Sequence, residues 1–298
     1  MKGRITMMHT IQNEFLKVAV AAKGAELMSI VAADGTEYVW QGDPKYWADR
    51  SPNIFPSVGR LTGGKYLLDG NYYELGCHGF AAKSNFEVVK AEPTYLELCL
   101  TNNEATMAVY PRKFAFTIAY SLDGNKLDIL FKIENRDSKE LPFGLGGHPG
   151  FCVPLAEGKK FEDYQLRFSE KCKPEKYLVT PQYFFSGETV PFPLKDDVAI
   201  PLEHSLFDED AIVLRNAARE VTLVAPGDSH SVTVTYPGMR YIGFWHKPHS
   251  DAPYVCIEPW CSLASFQDVP AIFEEREDLL RLAPGEIHEN RWSIRCTF

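Results

Sequence analysis

The strongest constraint on the fold is the alternation of apolar and polar residues in many short segments. A two-residue period places one face of a β-strand towards a core and the other towards solvent, which does not match the period of a helix. The clearest segments are TYLELCLT (94–101), KFAFTIAYSL (113–122), KLDILFKIEN (126–135), EVTLVAP (220–226), SVTVTYP (231–237) and YIGFWH (241–246). Many short strands at this spacing predict an all-β sandwich or barrel.

Turn signals lie between strand-like segments. They are the pairs Asp34-Gly35, Asp69-Gly70 and Asp123-Gly124, and the stretch PGDS at 226–229. Such residues accept the positive φ angles that tight hairpin turns need. The order strand, turn, strand therefore predicts antiparallel hairpins along much of the chain.

Helical signals are few. The segment AIFEEREDLLRL (271–282) has loosely spaced apolar residues, but its charged middle is more typical of a solvated loop or a short helix than of a core helix. No Gly/Ser-rich linker, repeat or low-complexity tract divides the chain. The 298 residues would suffice for two average domains or one large β domain, and we predict a single domain over 1–298.

The charge and cysteine content argue against several classes of partner. The formal net charge is −9 and no Lys/Arg run offsets it, so neither nucleic acid nor an anionic membrane is an expected partner. No apolar run approaches the ~20 residues of a membrane span, and the first residues do not resemble a signal peptide. Seven scattered cysteines without a CxxC pair argue against a disulfide framework and a structural zinc site. We therefore expect a reducing, cytoplasmic setting.

Four irregular segments interrupt the strands and hold most of the candidate site residues. They are SPNIFPSVGRLTGGKY (51–66), LGCHGFAAKSNF (75–86), FGLGGHPGFCVP (143–154) and YVCIEPWCSLASF (254–266). Arg60, in the first, carries a planar donor group suited to oxygen atoms, although alone it is more typical of an exposed loop arginine. His78, in the second, is by itself more typical of a structural hydrogen-bond donor than of a catalyst.

His148 lies in the least regular backbone of the chain. Gly144, Gly146 and Gly147 precede it, and we expect them to let the backbone approach a ligand and to leave space beside the ring. Pro149 favours an extended conformation for the residue before it. The segment therefore predicts an imidazole that is exposed inside a pocket.

Glu258 follows the apolar residues VCI, which predict a buried strand. A buried carboxylate needs a partner, because burial without one is costly. Two interpretations stay open: a general base with a raised pKa, or half of a structural ion pair. A second acidic group, formed by Asp208, Glu209 and Asp210, precedes an apolar strand and is most typical of a solvated turn.

Common metal and nucleotide motifs do not occur in the sequence. His246 and His249 are three residues apart, but Lys247 and Pro248 between them break helical geometry, and there is no HExxH or HxH pattern. We therefore predict no metal site. The stretch GLGGHPG lacks the strand–GxGxxG–helix context of a dinucleotide loop, and neither GxSxG nor a phosphate-loop motif occurs, so no cofactor is predicted.

Taken in order, the motifs resemble a known family. The chain presents, in sequence, Asn53–Arg60, His78-Gly79-Phe80, Gly147–Phe151 and Glu258-Pro259-Trp260, and also GAELMSI (24–30), YVWQGDPKYW (38–47) and LAPGE (282–286). This order resembles the aldose 1-epimerase (mutarotase) family, and its bacterial LacX-like branch in particular, over nearly the whole chain. The resemblance implies a large antiparallel β-sandwich in a single domain, the galactose mutarotase-like supersandwich.

The resemblance also implies a reaction, the interconversion of the α and β anomers of a free sugar without a metal or an organic cofactor. In this family a glutamate takes the proton of the C1 hydroxyl while a histidine protonates the ring oxygen. The ring opens to the aldehyde, the C1–C2 bond rotates, and the ring closes on its other face. Glu258 is the implied general base and His148 the implied general acid.

Further substrate contacts follow from the same resemblance. His78 would donate to the ring or to a nearby hydroxyl, and Arg60 would bind sugar hydroxyls. The family also holds sugar hydroxyls with an aspartate, for which Asp210 is the best match and Asp208 fits almost as well.

Aromatic side chains often stack on the faces of sugar rings through C–H contacts. Trp245, in YIGFWH, and Trp260, close to Glu258, are candidates for such stacking. Both are equally typical of core residues, so their role stays open at this point.

Departures from the family pattern bear on the substrate. The branch that acts on phosphorylated hexoses has an arginine soon after its HGF motif, where this chain has Ala81-Ala82-Lys83, and the longer arginine motif of the galactose mutarotases is reduced to VGRL. The expected partner is therefore an unphosphorylated sugar, an aldohexose or pentose. The open alternatives are an epimerase of a phosphorylated hexose, a non-catalytic sugar-binding protein, and a glycoside hydrolase that uses Glu258 and Asp210 as its two carboxylates.

Overall fold

The computed structural model describes residues 7–298, and almost all of its regular structure is β. The strands, in chain order, are β1 Met8–Gln12, β2 Leu16–Ala21, β3 Leu27–Ala32, β4 Asn53–Ile54, β5 Lys65–Leu68, β6 Asn71–Glu74, β7 Glu87–Glu92, β8 Tyr95–Thr101, β9 Phe114–Asp123, β10 Lys126–Asn135, β11 Leu141–Phe143, β12 Gly146–Gly147, β13 Gly150–Cys152, β14 Gln165–Phe168, β15 Glu175–Val179, β16 Phe185–Pro191, β17 Ala199–Pro201, β18 Ile212–Arg215, β19 Glu220–Val224, β20 Ser231–Thr235, β21 Tyr241–Trp245, β22 Tyr254–Trp260, β23 Ala271–Ile272, β24 Leu280–Leu282 and β25 Ile287–Thr297. The helical elements are α1 Glu104–Val109 and the 3₁₀ turns Thr62–Gly64, Ala81–Lys83, Phe161–Asp163 and His204–Phe207.

Two large sheets form the body of the fold. One has the strand order β17-β14-β19-β20-β25-β10-β9-β8-β7, and the other has the order β16-β15-β18-β21-β22-β12-β4 with β13 also paired to β22. The sheets share an apolar core, in which Phe168 of β14 meets Phe244 of β21 with ring centroids 6.2 Å apart. The predicted all-β, antiparallel sandwich is therefore confirmed, although one minor pair, β23 with β5, is parallel.

The alternation in the sequence sets the faces of the strands. In β10 the side chains of Leu127, Ile129, Phe131 and Ile133 are buried, and the residues between them are partly exposed. β10 pairs with β9 on one side and β25 on the other, so a shift by one residue would turn its apolar face away from the core. All six alternating segments predicted as strands are strands in the structure.

The predicted turn chemistry is also present. Asp69 and Gly70 connect β5 to β6 with φ angles of 51° and 73°. Gly124 joins β9 to β10 with a φ of 58°, and Gly227 joins β19 to β20 with a φ of 73°. These are left-handed backbone conformations, which glycine adopts without the steric cost of a Cβ atom.

The segment 271–282 is a loop with the short strands β23 and β24 at its ends, so of the two alternatives the loop is confirmed and the short helix is not. Its charged middle is held by Arg276, which donates to the Asp278 carboxylate and to the Leu263 carbonyl, both at 2.6 Å. The charged side chains thus bond to each other and to a neighbouring loop rather than line one face of a helix. The short helix α1 was not predicted; Asn103 caps it by accepting the Thr106 amide.

Two further observations concern the chain as a whole. Within residues 7–298, no helix is both long enough and apolar enough to cross a bilayer. All seven cysteines are free. The assignment of 1–298 to one domain stays a prediction, since residues 1–6 lie outside the described part of the chain.

Candidate active site

Strand register brings His148 and Glu258 together. The strands β12 and β13 lie on either side of His148, and both pair with β22, where the partners are Gly146 with Trp260 and Gly150 with Cys256. Two residues inward from each of these pairs, His148 and Glu258 lie opposite each other. Because Pro149 has no amide to donate, the ladder loses one hydrogen bond here, although the Pro149 carbonyl still accepts the Ile257 amide at 3.1 Å.

The glycines before His148 serve a different purpose from the predicted one. A Cβ atom on Gly147 would lie 2.7 Å from the Trp292 ring, and a Cβ on Gly146 would lie 2.7 Å from Cδ1 of Trp260. Gly144 is equally enclosed, because a Cβ atom there would meet the Ser262 hydroxyl. The expectation that Gly144, Gly146 and Gly147 leave open space beside the ring is wrong, because the segment is packed tightly against tryptophans and the opposite sheet.

The imidazole and the carboxylate form a buried pair. His148 Nε2 lies 3.2 Å from Glu258 Oε2, and the two side chains are 10% and 1% exposed. Burial, and then the neighbouring His78, hold the pKa of His148 well below its usual range. Burial, and then the Asp210 carboxylate, raise the pKa of Glu258 well above its usual range. Because burial disfavours a charge on the pair, we infer that one shared proton keeps it neutral overall.

His78 is oriented as a neutral donor. Its backbone is in the left-handed region, with φ of 61°, and its Nδ1 accepts the Gly59 amide at 3.2 Å. A neutral imidazole that accepts at Nδ1 carries its proton on Nε2. Burial, and then the charge of Arg60, lower the pKa of His78 to about 4. Its ring meets the His148 ring edge-on, with centroids 5.2 Å apart.

A cavity of about 230 Å³ opens over this pair. Its lining includes all six residues predicted from the sequence, which are Arg60, His78, His148, Asp210, Trp245 and Glu258. Trp260, the second aromatic candidate, also lines it. The structure therefore gathers into one cavity residues that are spread over about two hundred positions of the sequence.

The two candidate aspartates differ in position. Asp210 lines the cavity and its Oδ2 lies 3.3 Å from Arg60 Nη1. Asp208 instead accepts the His249 amide at 3.0 Å and is not among the residues that line this cavity. The guanidinium of Arg60 also lies over the Tyr183 ring, 5.1 Å from its centroid. Geometry thus favours Asp210 over Asp208 as the aspartate of the site.

Comparison with known proteins identifies the family of the chain. The family model described as Aldose 1-epimerase matches residues 7–295. The chain belongs to the aldose 1-epimerase family. The chromosomal protein LacX of Lactococcus lactis is 30% identical over 293 residues, which cover 95% of this chain and 97% of LacX.

Solved structures show the same epimerase-family fold. The galactose mutarotase related enzyme from Lactobacillus acidophilus superposes with a TM-score of 0.93 at 31% identity, over 98% of each chain. A galactose mutarotase-like protein from Lactobacillus casei gives a TM-score of 0.92 at 29% identity, over 97% of this chain and 100% of its own. The sequence resemblance and the galactose mutarotase-like sandwich that it implied are therefore confirmed.

Sequence reasoning missed three aromatic residues that line this epimerase-family cavity, Trp47, Tyr183 and Phe185, of which Trp47 lies closest to His148. Trp47 lies beside the His148 ring, with centroids 5.0 Å apart and the planes inclined by 32°. Trp245 meets the same imidazole edge-on at 5.8 Å. Trp47 belongs to a segment that the sequence analysis used only for the family resemblance, and a lone tryptophan there is typical of a core. Only its three-dimensional position reveals that it restricts the imidazole.

Proposed function

We propose that this chain is an aldose 1-epimerase, a mutarotase that interconverts the α and β anomers of a free aldose by acid–base ring opening. The observation that carries the proposal is the buried His148–Glu258 pair, which lines the same cavity as Arg60, Asp210 and Trp245. A binding protein has no need for two proton-transfer groups in contact, and the desolvation of both is costly.

The pair can move protons in the sense that the reaction needs. Ring opening in this sense begins when the shared proton lies on His148 and Glu258 is ionised, which is the reverse of the distribution that burial alone favours. Glu258 takes the proton of the C1 hydroxyl as the bond between C1 and the ring oxygen breaks, and His148 gives its proton to that oxygen. The product is the open aldehyde, with the proton now on Glu258. Rotation about C1–C2 and the reverse transfers close the ring as the other anomer.

One shared proton suits this exchange. The two protonation states of the pair, before and after ring opening, have the same total charge. A buried site that disfavours net charge therefore does not resist the step that links them. The neutral Nε2–H of His78 is a suitable donor to the oxygen on which charge develops, and Arg60, Asp210 and Trp245 are the proposed substrate-binding residues.

The charges of the cavity favour an uncharged sugar. Its lining carries the carboxylates Asp49, Asp210 and Glu258 but a single guanidinium, Arg60, which is already paired. A phosphate needs several fixed donors. Lys83, the cation nearest in sequence to the expected phosphate position, is not among the lining residues of this cavity. We therefore favour an unphosphorylated aldohexose or pentose in a cytoplasmic setting, with no cofactor required.

Anomer exchange measured by NMR tests the proposal directly. Purified protein is mixed with glucose, galactose and other free sugars, and with a hexose 6-phosphate, and the exchange rate is compared with the spontaneous rate. Wild type is run beside Glu258→Gln and beside Asp208→Asn, which changes a carboxylate outside the cavity. We expect acceleration by wild type and Asp208→Asn and its loss in Glu258→Gln.

Other results would redirect the assignment. Acceleration only with the phosphorylated hexose would contradict the proposal of an uncharged substrate, but would still support the anomer-exchange reaction. Binding of a free sugar without any acceleration would favour the non-catalytic alternative. Release of sugar from a synthetic glycoside would favour a hydrolase that uses Glu258 and Asp210.

A further inference from the structure

Three potential metal ligands meet below the cavity. The ligand atoms of His148, Cys256 and Glu258 all lie within 4.8 Å of one another. The three residues are 8%, 0% and 1% exposed. Cys256 and Glu258 are two residues apart on β22, so their side chains project from the same face of the strand, and His148 lies across from them.

From this geometry we propose that His148, Cys256 and Glu258 form a binding site for a thiophilic divalent cation such as Zn²⁺, and that the cation inhibits the protein. This inference goes beyond the proposed function, because a cation held there occupies the same lone pairs that proton transfer requires. The sequence motifs did not predict the site, since its ligands come from two segments distant in sequence.

The donor set matches the cation. Thiolate, imidazole and carboxylate are the three ligand types that zinc uses, and three protein ligands with one open position are typical of accessible zinc sites. On binding, the Cys256 thiol and the Glu258 carboxyl would release their protons to solvent, and His148 would bind through a neutral ring nitrogen. The open fourth position would face the cavity and hold water.

The balance of charge also favours occupancy. One thiolate and one carboxylate neutralise the two positive charges of the cation, so the buried complex carries no net charge. In the described residues, Glu258 Oε2 is buried without a hydrogen-bond partner. Unpaired buried polar atoms are costly, and a cation that engages them removes part of that cost.

Cobalt absorption spectroscopy tests the site without measuring turnover. Metal-free protein is titrated with Co²⁺, and a thiolate-to-cobalt charge-transfer band in the near ultraviolet reports a Co²⁺–S bond. We expect one equivalent to produce the band and Zn²⁺ to abolish it by displacement. Cys256→Ser should lose the band and bind Zn²⁺ at least about tenfold more weakly.

Two matched variants identify the sulfur. Cys77→Ser removes a thiol that lines the same cavity but lies outside the cluster, and Cys261→Ser removes another buried thiol of the segment that follows β22. Both should keep the band. Loss of the band in Cys77→Ser with retention in Cys256→Ser would overturn the assignment, as would the absence of a band in folded wild type.

Inhibition is tested separately on a sugar that wild type turns over. Zn²⁺ should slow anomer exchange and a chelator should restore it. Cobalt binding without any effect of Zn²⁺ on exchange would overturn the inhibitory part of the proposal. Because the band needs no sugar, failure of the metal site and failure of the proposed function give different results.

Discussion

Two histidine–carboxylate groups of this molecule invite comparison: His148 with Glu258 in the cavity, and His230 with Asp34 and Asp228 beside the turn between β19 and β20. His148 meets its carboxylate at one contact of 3.2 Å, and its other nitrogen is buried without a partner among the described residues. His230 meets a carboxylate at each nitrogen, at 2.9 Å and 3.0 Å.

The protonation preferences of the two histidines are opposite. The hydrogen bond to Asp34, aided by the one to Asp228, raises the pKa of His230. Burial lowers the pKa of His148. Although burial opposes it, hydrogen bonds from Tyr164 and His230 lower the pKa of Asp228, whereas burial raises that of Glu258. The same residue types therefore behave differently in the two places. Around His230, where each polar atom has a hydrogen-bond partner, they form a fixed ion cluster. At His148 and Glu258, which are buried with few hydrogen bonds, they form a pair that can exchange a proton.

The largest expected difference between the two groups is in activity. Glu258→Gln should lower the rate of anomer exchange by a factor of about 10²–10⁴, because the amide cannot accept the proton. Asp228→Asn should leave the rate close to wild type, since it lies away from the cavity. Exchange rates from NMR on the same sugar check both. Equal losses in the two variants would contradict the division into a catalytic pair and a structural cluster.

For the free energy of unfolding we expect the opposite order, with a loss in Asp228→Asn and none in Glu258→Gln. Asp228 accepts three hydrogen bonds, from Tyr164 and from the amide and ring of His230, and its side chain is 1% exposed. Asp228→Asn should lower the free energy of unfolding by about 1–3 kcal/mol. Glu258→Gln should leave it unchanged or raise it, because a neutral amide replaces a desolvated acid. Urea denaturation measures both, and a more severe loss in Glu258→Gln would show that its pair is structural.

The tight packing of the backbone before His148 can also be tested by its effect on stability. Gly147→Ala places a methyl group against the Trp292 ring and should cost about 1–3 kcal/mol of stability. Gly76→Ala is the matched control, since its Cβ would meet nothing closer than Lys83 Nζ at 3.8 Å. Near-equal melting temperatures of the two variants would show that the tight contact relaxes without cost.

The smallest expected effect is on the pH dependence of stability. The pKa of His230 is raised in the folded state, so its stabilising contribution is complete below the unfolded pKa of about 6.5. That contribution is lost as pH rises through the higher folded pKa. Unfolding free energies measured across this range should fall with pH in wild type and fall less in His230→Gln. A variant with the same slope as wild type would assign the pH dependence to other groups.

Much of the fold was predictable because the determining signal is local. Alternation along β10 and the glycine turns depends on neighbouring residues alone, and both were found in the sequence. The site was predictable only through the order of its motifs. The preference for Asp210 over Asp208 was weak in the sequence, because only the contacts of the folded chain separate them: Asp210 lines the cavity, whereas Asp208 accepts the His249 amide. Trp47 and Cys256 were not predicted as site residues, because the sequence around each is typical of a core residue.

The position of β25 in the sheet has a consequence for when the site can assemble during folding. This strand lies between β10 and β20 in the middle of the larger sheet, and its Trp292 packs against Gly147, the residue before His148. The two halves of that sheet cannot be joined until residues 287–297 have been synthesised, and pairings so distant in sequence form slowly. A chain that stops before β25 should therefore carry both His148 and Glu258 and still lack an assembled site.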